Sequence, residues 1–261
     1  MTRFTCCAAM LLTTLFAGMA NGDLQFDEDI TPDVIFGSGN ANGSWTVDRE
    51  DGVELGLRAK LRFDAANSPQ NIFNSQGNGN YVFQAGQPVG GGFGFASGSP
   101  STAVWNFEWS INTDQDGTSD YDFLTDLTYE LAIDFDPTAG TNFLAFDPIN
   151  IPSPDFADHA IGNNATGNGG GTKATDRPSY LGLIGSNNVA QNSWNMEFFD
   201  SVSFPFDANV TGVYTIRLTA FDGATQVAQS QITVSSVPEP ATWMVLGLGL
   251  AGVALVRRKR R

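Results

Sequence analysis

An all-β fold, an antiparallel β-sandwich of jelly-roll or immunoglobulin-like kind, is predicted by three observations. Apolar and polar residues alternate with period two over several short runs, and Gly, Asn and Asp cluster between those runs. Long helical periodicity is absent except at the two ends of the chain. The clearest run places Val53, Leu55, Leu57, Ala59, Leu61 and Phe63 on one face and Glu54, Gly56, Arg58, Lys60 and Arg62 on the other. That pattern predicts a half-buried strand with a polar outer face. Residues 102–111 carry Val104, Trp105, Phe107 and Trp109, and residues 127–135 carry Tyr129, Leu131, Ile133 and Phe135. Further on, Tyr214, Ile216, Leu218 and Ala220 alternate with Thr215, Arg217 and Thr219. Asp222-Gly223 then turns the chain into residues 225–234, which predicts a terminal hairpin. Residues 86–100 and 155–177, rich in Gly, Ser, Asn and Thr, read as long loops of one sandwich. The Phe-Asp-Pro echoes at Phe135 and Phe146 are too brief to establish a repeat.

The N-terminus reads as a secretory signal peptide over residues 1–22. Arg3 supplies the positive start, residues 6–17 the apolar stretch, and Gly18-Met19-Ala20 or Ala20-Asn21-Gly22 the small-residue cleavage site for signal peptidase. A lipoprotein signal does not fit, because Cys6 and Cys7 precede the apolar run instead of closing it. Both cysteines of the chain lie in this segment, so the body at residues 23–236 has no disulfide, thiol nucleophile or thiolate metal site. Its 214 residues suffice for one large β domain or two small ones, held together by burial; one sandwich with a large loop is the preferred reading. Of the 13 Lys and Arg, Arg3 and five tail residues lie outside the body, which leaves seven. Of the 28 acidic residues only Glu239 does, which leaves 27 and a net charge near −20. Such a body repels nucleic acid and anionic lipid; divalent cations and neutral or basic partners such as polysaccharide remain. High negative charge also aids solubility by itself.

The C-terminus reads Val237-Pro238-Glu239-Pro240, then an uncharged run from Ala241 to Val256, then Arg257-Arg258-Lys259-Arg260-Arg261. Sixteen helical residues span roughly 24 Å, short of the about 30 Å hydrocarbon core. Snorkelling of the basic side chains and local thinning of the bilayer make up the difference. The expectation is a single transmembrane helix over 241–256, with the basic flank in the cytoplasm and the body outside. Pro238 and Pro240 keep the segment before it extended. A plain anchor accounts for the apolar run and the arginines, but not for Pro-Glu-Pro directly before them. The whole arrangement of residues 237–261 closely resembles the PEP-CTERM sorting signal of Gram-negative bacteria. The resemblance covers about a tenth of the chain and combines three features in order. It implies recognition by an exosortase, a membrane-embedded cysteine transpeptidase that cleaves near the motif. An inner-membrane-anchored intermediate then gives way to a surface or extracellular form. By the same resemblance such cargo accompanies exopolysaccharide and biofilm.

Within the body, Asn112-Thr113-Asp114-Gln115-Asp116-Gly117-Thr118-Ser119-Asp120 is the sharpest motif. Oxygen-bearing side chains recur at alternate positions with glycine sixth, the pattern of a calcium loop. Asn112, Asp114 and Asp116 would ligate through side chains, Thr118 through its carbonyl and Asp120 directly or through water. Position twelve is Phe123 and not Glu, which excludes an EF-hand; a calcium loop of secreted β proteins and a plain acidic turn both fit. His159 is the only histidine and no Gly-x-Ser-x-Gly elbow exists, so neither a hydrolase triad nor a His/Cys metal cluster is indicated. Asp155, Asp158 and His159 read as a solvated loop. Trp45, Trp105, Trp109 and Trp194 would serve as sugar platforms if exposed. Trp105, Phe107 and Trp109, at two-residue spacing, read as core.

The expected function is that of an exported, exosortase-processed surface or matrix protein with no enzymatic activity and no certain cofactor. A calcium- or carbohydrate-dependent adhesion module and a secreted hydrolase are the alternatives. The first requires exposed aromatics beside residues 112–120; the second requires a cleft in which carboxylates, or His159 and an acid, converge.

Overall fold

The structure, a computed structural model, describes residues 23–89, 100–150 and 158–238. The signal peptide, the apolar run 241–256 and the basic end 257–261 lie outside the described residues. Among those described, no helix is long and apolar enough to cross a membrane.

Among the described residues eleven strands form two sheets. In chain order they are β1 (Gln25–Glu28), β2 (Trp45–Glu50), β3 (Val53–Leu61), β4 (Asn80–Gln84), β5 (Trp105–Asn112), β6 (Thr128–Asp134), β7 (Phe143–Phe146), β8 (Ala160–Gly162), β9 (Val189–Trp194), β10 (Gly212–Asp222) and β11 (Thr225–Val237). The first sheet has the order β1-β2-β3-β5-β9-β8 and the second β4-β11-β10-β6-β7. The predicted runs all form strands. Residues 53–63 give β3, 102–111 give β5, 127–135 give β6, and the terminal hairpin is β10–β11, closed by Gly223 at φ 58°. The β2–β3 hairpin turns on Asp51 (φ 47°) and Gly52 (φ 79°), the two left-handed positions of a type I′ turn.

The two sheets pack face to face. From the first come Val53, Leu55, Leu57, Trp105, Phe107, Trp109 and Ile111; from the second come Tyr81, Leu131, Ile133, Tyr214, Ile216 and Leu218. Period-two alternation aims these side chains at one another, and their burial is the main stabilising term.

Four expectations require correction. The sandwich is not wholly antiparallel, because β4 runs parallel to β11, with Thr233 opposite Asn80 and Val237 opposite Gln84. Residues 155–177 are not only loop: β8 lies within them and pairs with β9. Among the described residues there is one α-helix, α1 (Arg177–Ile184). It starts where the Asp176 carboxylate accepts the Ser179 N–H at 2.8 Å and Pro178 sits in the first turn. The polar face of β3 is not solvated either. Residues 29–44 fold over it, and Ile30, Val34, Ile35 and Phe36 pack with Trp45, Val47, Ala160 and Val189 into a second apolar cluster.

Beneath that cover the charges of β3 and β5 pair. Arg58 Nε donates to Glu108 Oε2 at 2.6 Å, and Lys60 Nζ lies 3.1 Å from Glu108 Oε1. The Arg58 guanidinium is held between the rings of Trp45 (4.2 Å) and Phe73 (4.3 Å) and donates to the carbonyls of Ala41 and Gly43. Planar, weakly hydrated guanidinium suits such a slot better than ammonium would.

Candidate functional site

The sandwich has two ends of different character. At the first, three turns meet: Asp51-Gly52 between β2 and β3, residues 113–123 between β5 and β6, and Asp222 to Thr225 between β10 and β11. The Gln115 N–H donates to the Gly52 carbonyl at 2.7 Å, and the Tyr121 hydroxyl donates to Asp222 Oδ2 at 3.3 Å. Burial, then the nearby Asp222 charge, pushes the Tyr121 hydroxyl pKa up.

The candidate calcium residues lie here. Gly117 has φ 77°, as a tight turn at the sixth position needs. Asp116 Oδ1 accepts the hydroxyl (2.6 Å) and N–H (3.0 Å) of Thr118, and Asp114 Oδ1 accepts the Ser119 N–H at 3.1 Å. The Thr118 hydroxyl bond, with the N–H, holds the Asp116 carboxyl below its ordinary pKa. Asn112 points into the protein. Its Nδ2 donates to the Thr31 carbonyl and Asn164 Oδ1, and its Oδ1 accepts from Asn188 Nδ2 at 2.8 Å. This network, in which buried Asn112 and Asn188 meet exposed Asn164, was not foreseen, since its members are far apart in sequence. Asp120 is exposed. Among the described residues no group of three or more His, Cys, Asp or Glu side chains converges as a metal cluster.

The candidate tryptophans and the histidine are buried. Trp45, Trp105 and Trp109 have no appreciable exposure and Trp194 is 8 % exposed, so none presents a ring to solvent as a sugar platform. The exposed aromatic beside the 112–120 loop is Phe123. His159 departs from the solvated-loop expectation: it is fully buried, its ring 5.2 Å from Trp109 and 5.6 Å from Trp194, with Nε2 2.8 Å from the Pro148 carbonyl. Asp158 does stand in solvent, paired with Lys173 at 3.1 Å, and Asp155 lies outside the described residues.

At the opposite end the chain leaves the sandwich. β11 lies inside its sheet, between β10 and β4, and stays paired to its last residue. The Val237 carbonyl accepts the Ala85 N–H at 2.8 Å, and Gly86 N–H next along donates to the Ala208 carbonyl at 2.7 Å. Pro238 follows in solvent; Glu239 and Pro240 lie outside the described residues. The seat on β4 was missed in the sequence, although the alternation of Tyr81 and Phe83, both buried, signals it.

A folded, cysteine-free sandwich running without a linker into a Pro-Glu-Pro motif, an apolar run and a basic end has the make-up of an exported protein sorted by its C-terminus. The tail is a PEP-CTERM protein-sorting motif: the model of that family matches residues 236–261. The motif marks a surface or extracellular protein that exosortase processes from a membrane-anchored intermediate. No curated protein and no solved structure matches the chain, and the body belongs to no family so matched.

Proposed function

We propose that the protein is a non-enzymatic component of the cell surface or extracellular matrix, released by exosortase and associated with exopolysaccharide and biofilm. The observation that carries this reading is the sorting motif joined directly to a central strand: the body is a rigid cargo with a cleavable end. Burial of His159 among Trp109, Tyr180 and Trp194 supports a structural role for that histidine rather than general-base chemistry. The association with exopolysaccharide rests on what the sorting motif implies. A strongly acidic body, which nucleic acid would repel, accords with it.

The test is the intact mass of the extracellular form in hosts with active and inactive exosortase, followed by its sedimentation with the host's polysaccharide. Loss of the segment after about Pro240 only with the active enzyme, and co-sedimentation only where polysaccharide is made, is the expected result. An identical C-terminus in both hosts overturns the sorting role. Sedimentation that ignores the polysaccharide overturns the association.

A further inference from the structure

We propose that, while the tail is in the membrane, its short connection holds the exit end of the sandwich against the bilayer surface. The inference rests on the membrane-inserted intermediate of the sorting reading and adds an orientation and a contact surface to it.

The argument begins with reach. Val237 is fixed in the sheet by Ala85, and only Pro238, Glu239 and Pro240 separate it from the apolar run. Three residues extend at most about 10–11 Å, at 3.3–3.6 Å each. One headgroup layer is roughly 5–7 Å thick, the difference between a bilayer of 40–45 Å and its 30 Å core shared by two faces. With Ala241 at the hydrocarbon boundary, the end of β11 stands within a few ångströms of the headgroups. Because β11 is paired on both sides to its last residues, the body cannot gain distance by fraying there.

The surface brought down is the one that suits the position. Of the ten large apolar side chains that stand exposed among the described residues, five are valines at this end: Val89, Val202, Val210, Val213 and Val237. Val89 follows the Ala85 contact, and Val210 and Val213 flank the start of β10. Val202 sits in the turn that Asn142 Nδ2 ties down through the Ser203 carbonyl. Val202 and Val89 are 101 % and 84 % exposed, without cover from the described residues. Exposed apolar side chains concentrated at one end of a domain suit a contact surface better than singly scattered ones.

Carboxylates are present at this end too, at Asp136, Asp200 and Asp207, each accepting a backbone N–H of its own turn. They make the matching surface zwitterionic rather than anionic lipid. The turns carrying Asp51, Asp116, Asp120 and Asp222 are then at the far end, about 40 Å away along the 13 residues of β11, and point away from the membrane.

Single cysteines test the orientation, since the body has none. In the full chain, with Cys6 and Cys7 replaced by serine, Val210→Cys or Val213→Cys reports the exit end and Ala224→Cys the far hairpin. Each is labelled with a small fluorophore and reconstituted in vesicles of zwitterionic phospholipid carrying a headgroup quencher. The expected result is several-fold stronger quenching at 210 and 213 than at 224. A ten-residue Gly-Ser insertion between Val237 and Pro238 is expected to bring the exit labels to the level of 224. Equal quenching at both ends of vesicle-bound protein, or exit quenching that the insertion leaves undiminished, overturns the proposal. A chain that does not enter the vesicles overturns the membrane-inserted intermediate itself, and the two failures are told apart by flotation before quenching is read.

Discussion

Arg58 Nε and Glu108 Oε2 are 2.6 Å apart across β3 and β5, and neither side chain reaches solvent. With Lys60 also on Glu108, one carboxylate balances two cations. Removing it leaves both buried and uncompensated, which costs about 3–5 kcal/mol. Glu108→Gln is therefore expected to lower the urea midpoint strongly, with an unchanged slope if the denatured state is unaffected. A loss below about 1 kcal/mol, the level of an exposed pair, would show that solvent reaches this cluster.

Asp48, on the inner face of β2, accepts the Gln229 N–H of β11 at 2.6 Å and so joins the two sheets. Burial holds its carboxyl above the ordinary 3.8, against the Gln229 N–H, which favours the ionised form. A raised folded pKa gives a contribution present below the unfolded value and lost as pH rises through the folded one. Asp48→Asn does not titrate. Its melting temperature relative to the unaltered protein is therefore expected to improve as pH rises from below 3.8 toward neutrality. A difference independent of pH would falsify the raised pKa.

Gly52 joins the β2–β3 turn to the 113–123 loop. A Cβ built there lies 2.9 Å from Ser119 N and also of its Cβ, and φ is +79°. Gly52→Ala is expected to destabilise by about 1–3 kcal/mol, the range for a side chain forced into a rare backbone region. Denaturant unfolding measures the loss. Faster amide exchange in residues 113–123 would place it at this contact.

The bonds of Asp116 to Thr118 hold the turn through the loop's own side chains. Asp116→Ala is expected to speed amide exchange at Thr118 and Ser119 equally in chelator and in millimolar calcium. Protection that calcium raises in the unaltered protein, and not in the variant, would instead make the loop a cation site.

Strands were legible in the sequence wherever one face was apolar and the other polar, as in β3, β6 and β10. The cover over β3 was not. Glu54, Arg58 and Lys60 have the pattern of a solvated face, and it is residues 29–44, with Trp45 and Phe73 against Arg58, that bury them. His159 misled for a related reason: a polar residue in a polar stretch reads as solvated until the tertiary fold places it against Trp109 and Trp194. The helix α1 is two turns long, too short for periodicity to reveal; its signal was the cap, Asp176 before Arg177-Pro178. The tail was legible because motif, apolar span and basic flank are all local. The parallel seat of β11 on β4 joins strands some 150 residues apart, and no local pattern encodes which neighbour a strand will choose.

That seat also decides how the protein bears tension. A tether attached after Val237 pulls β11 along its own axis, between antiparallel β10 on one side and parallel β4 on the other. Ladder bonds lie across the strand direction, so such a pull shears both rows together instead of opening them one at a time. A strand at the margin, or one pulled from its turn, would unzip bond by bond. Tension on the membrane-anchored intermediate is thus met by the long β10 ladder and the five pairs to β4 together, and forced opening is governed by the unfolding rate of the sheet.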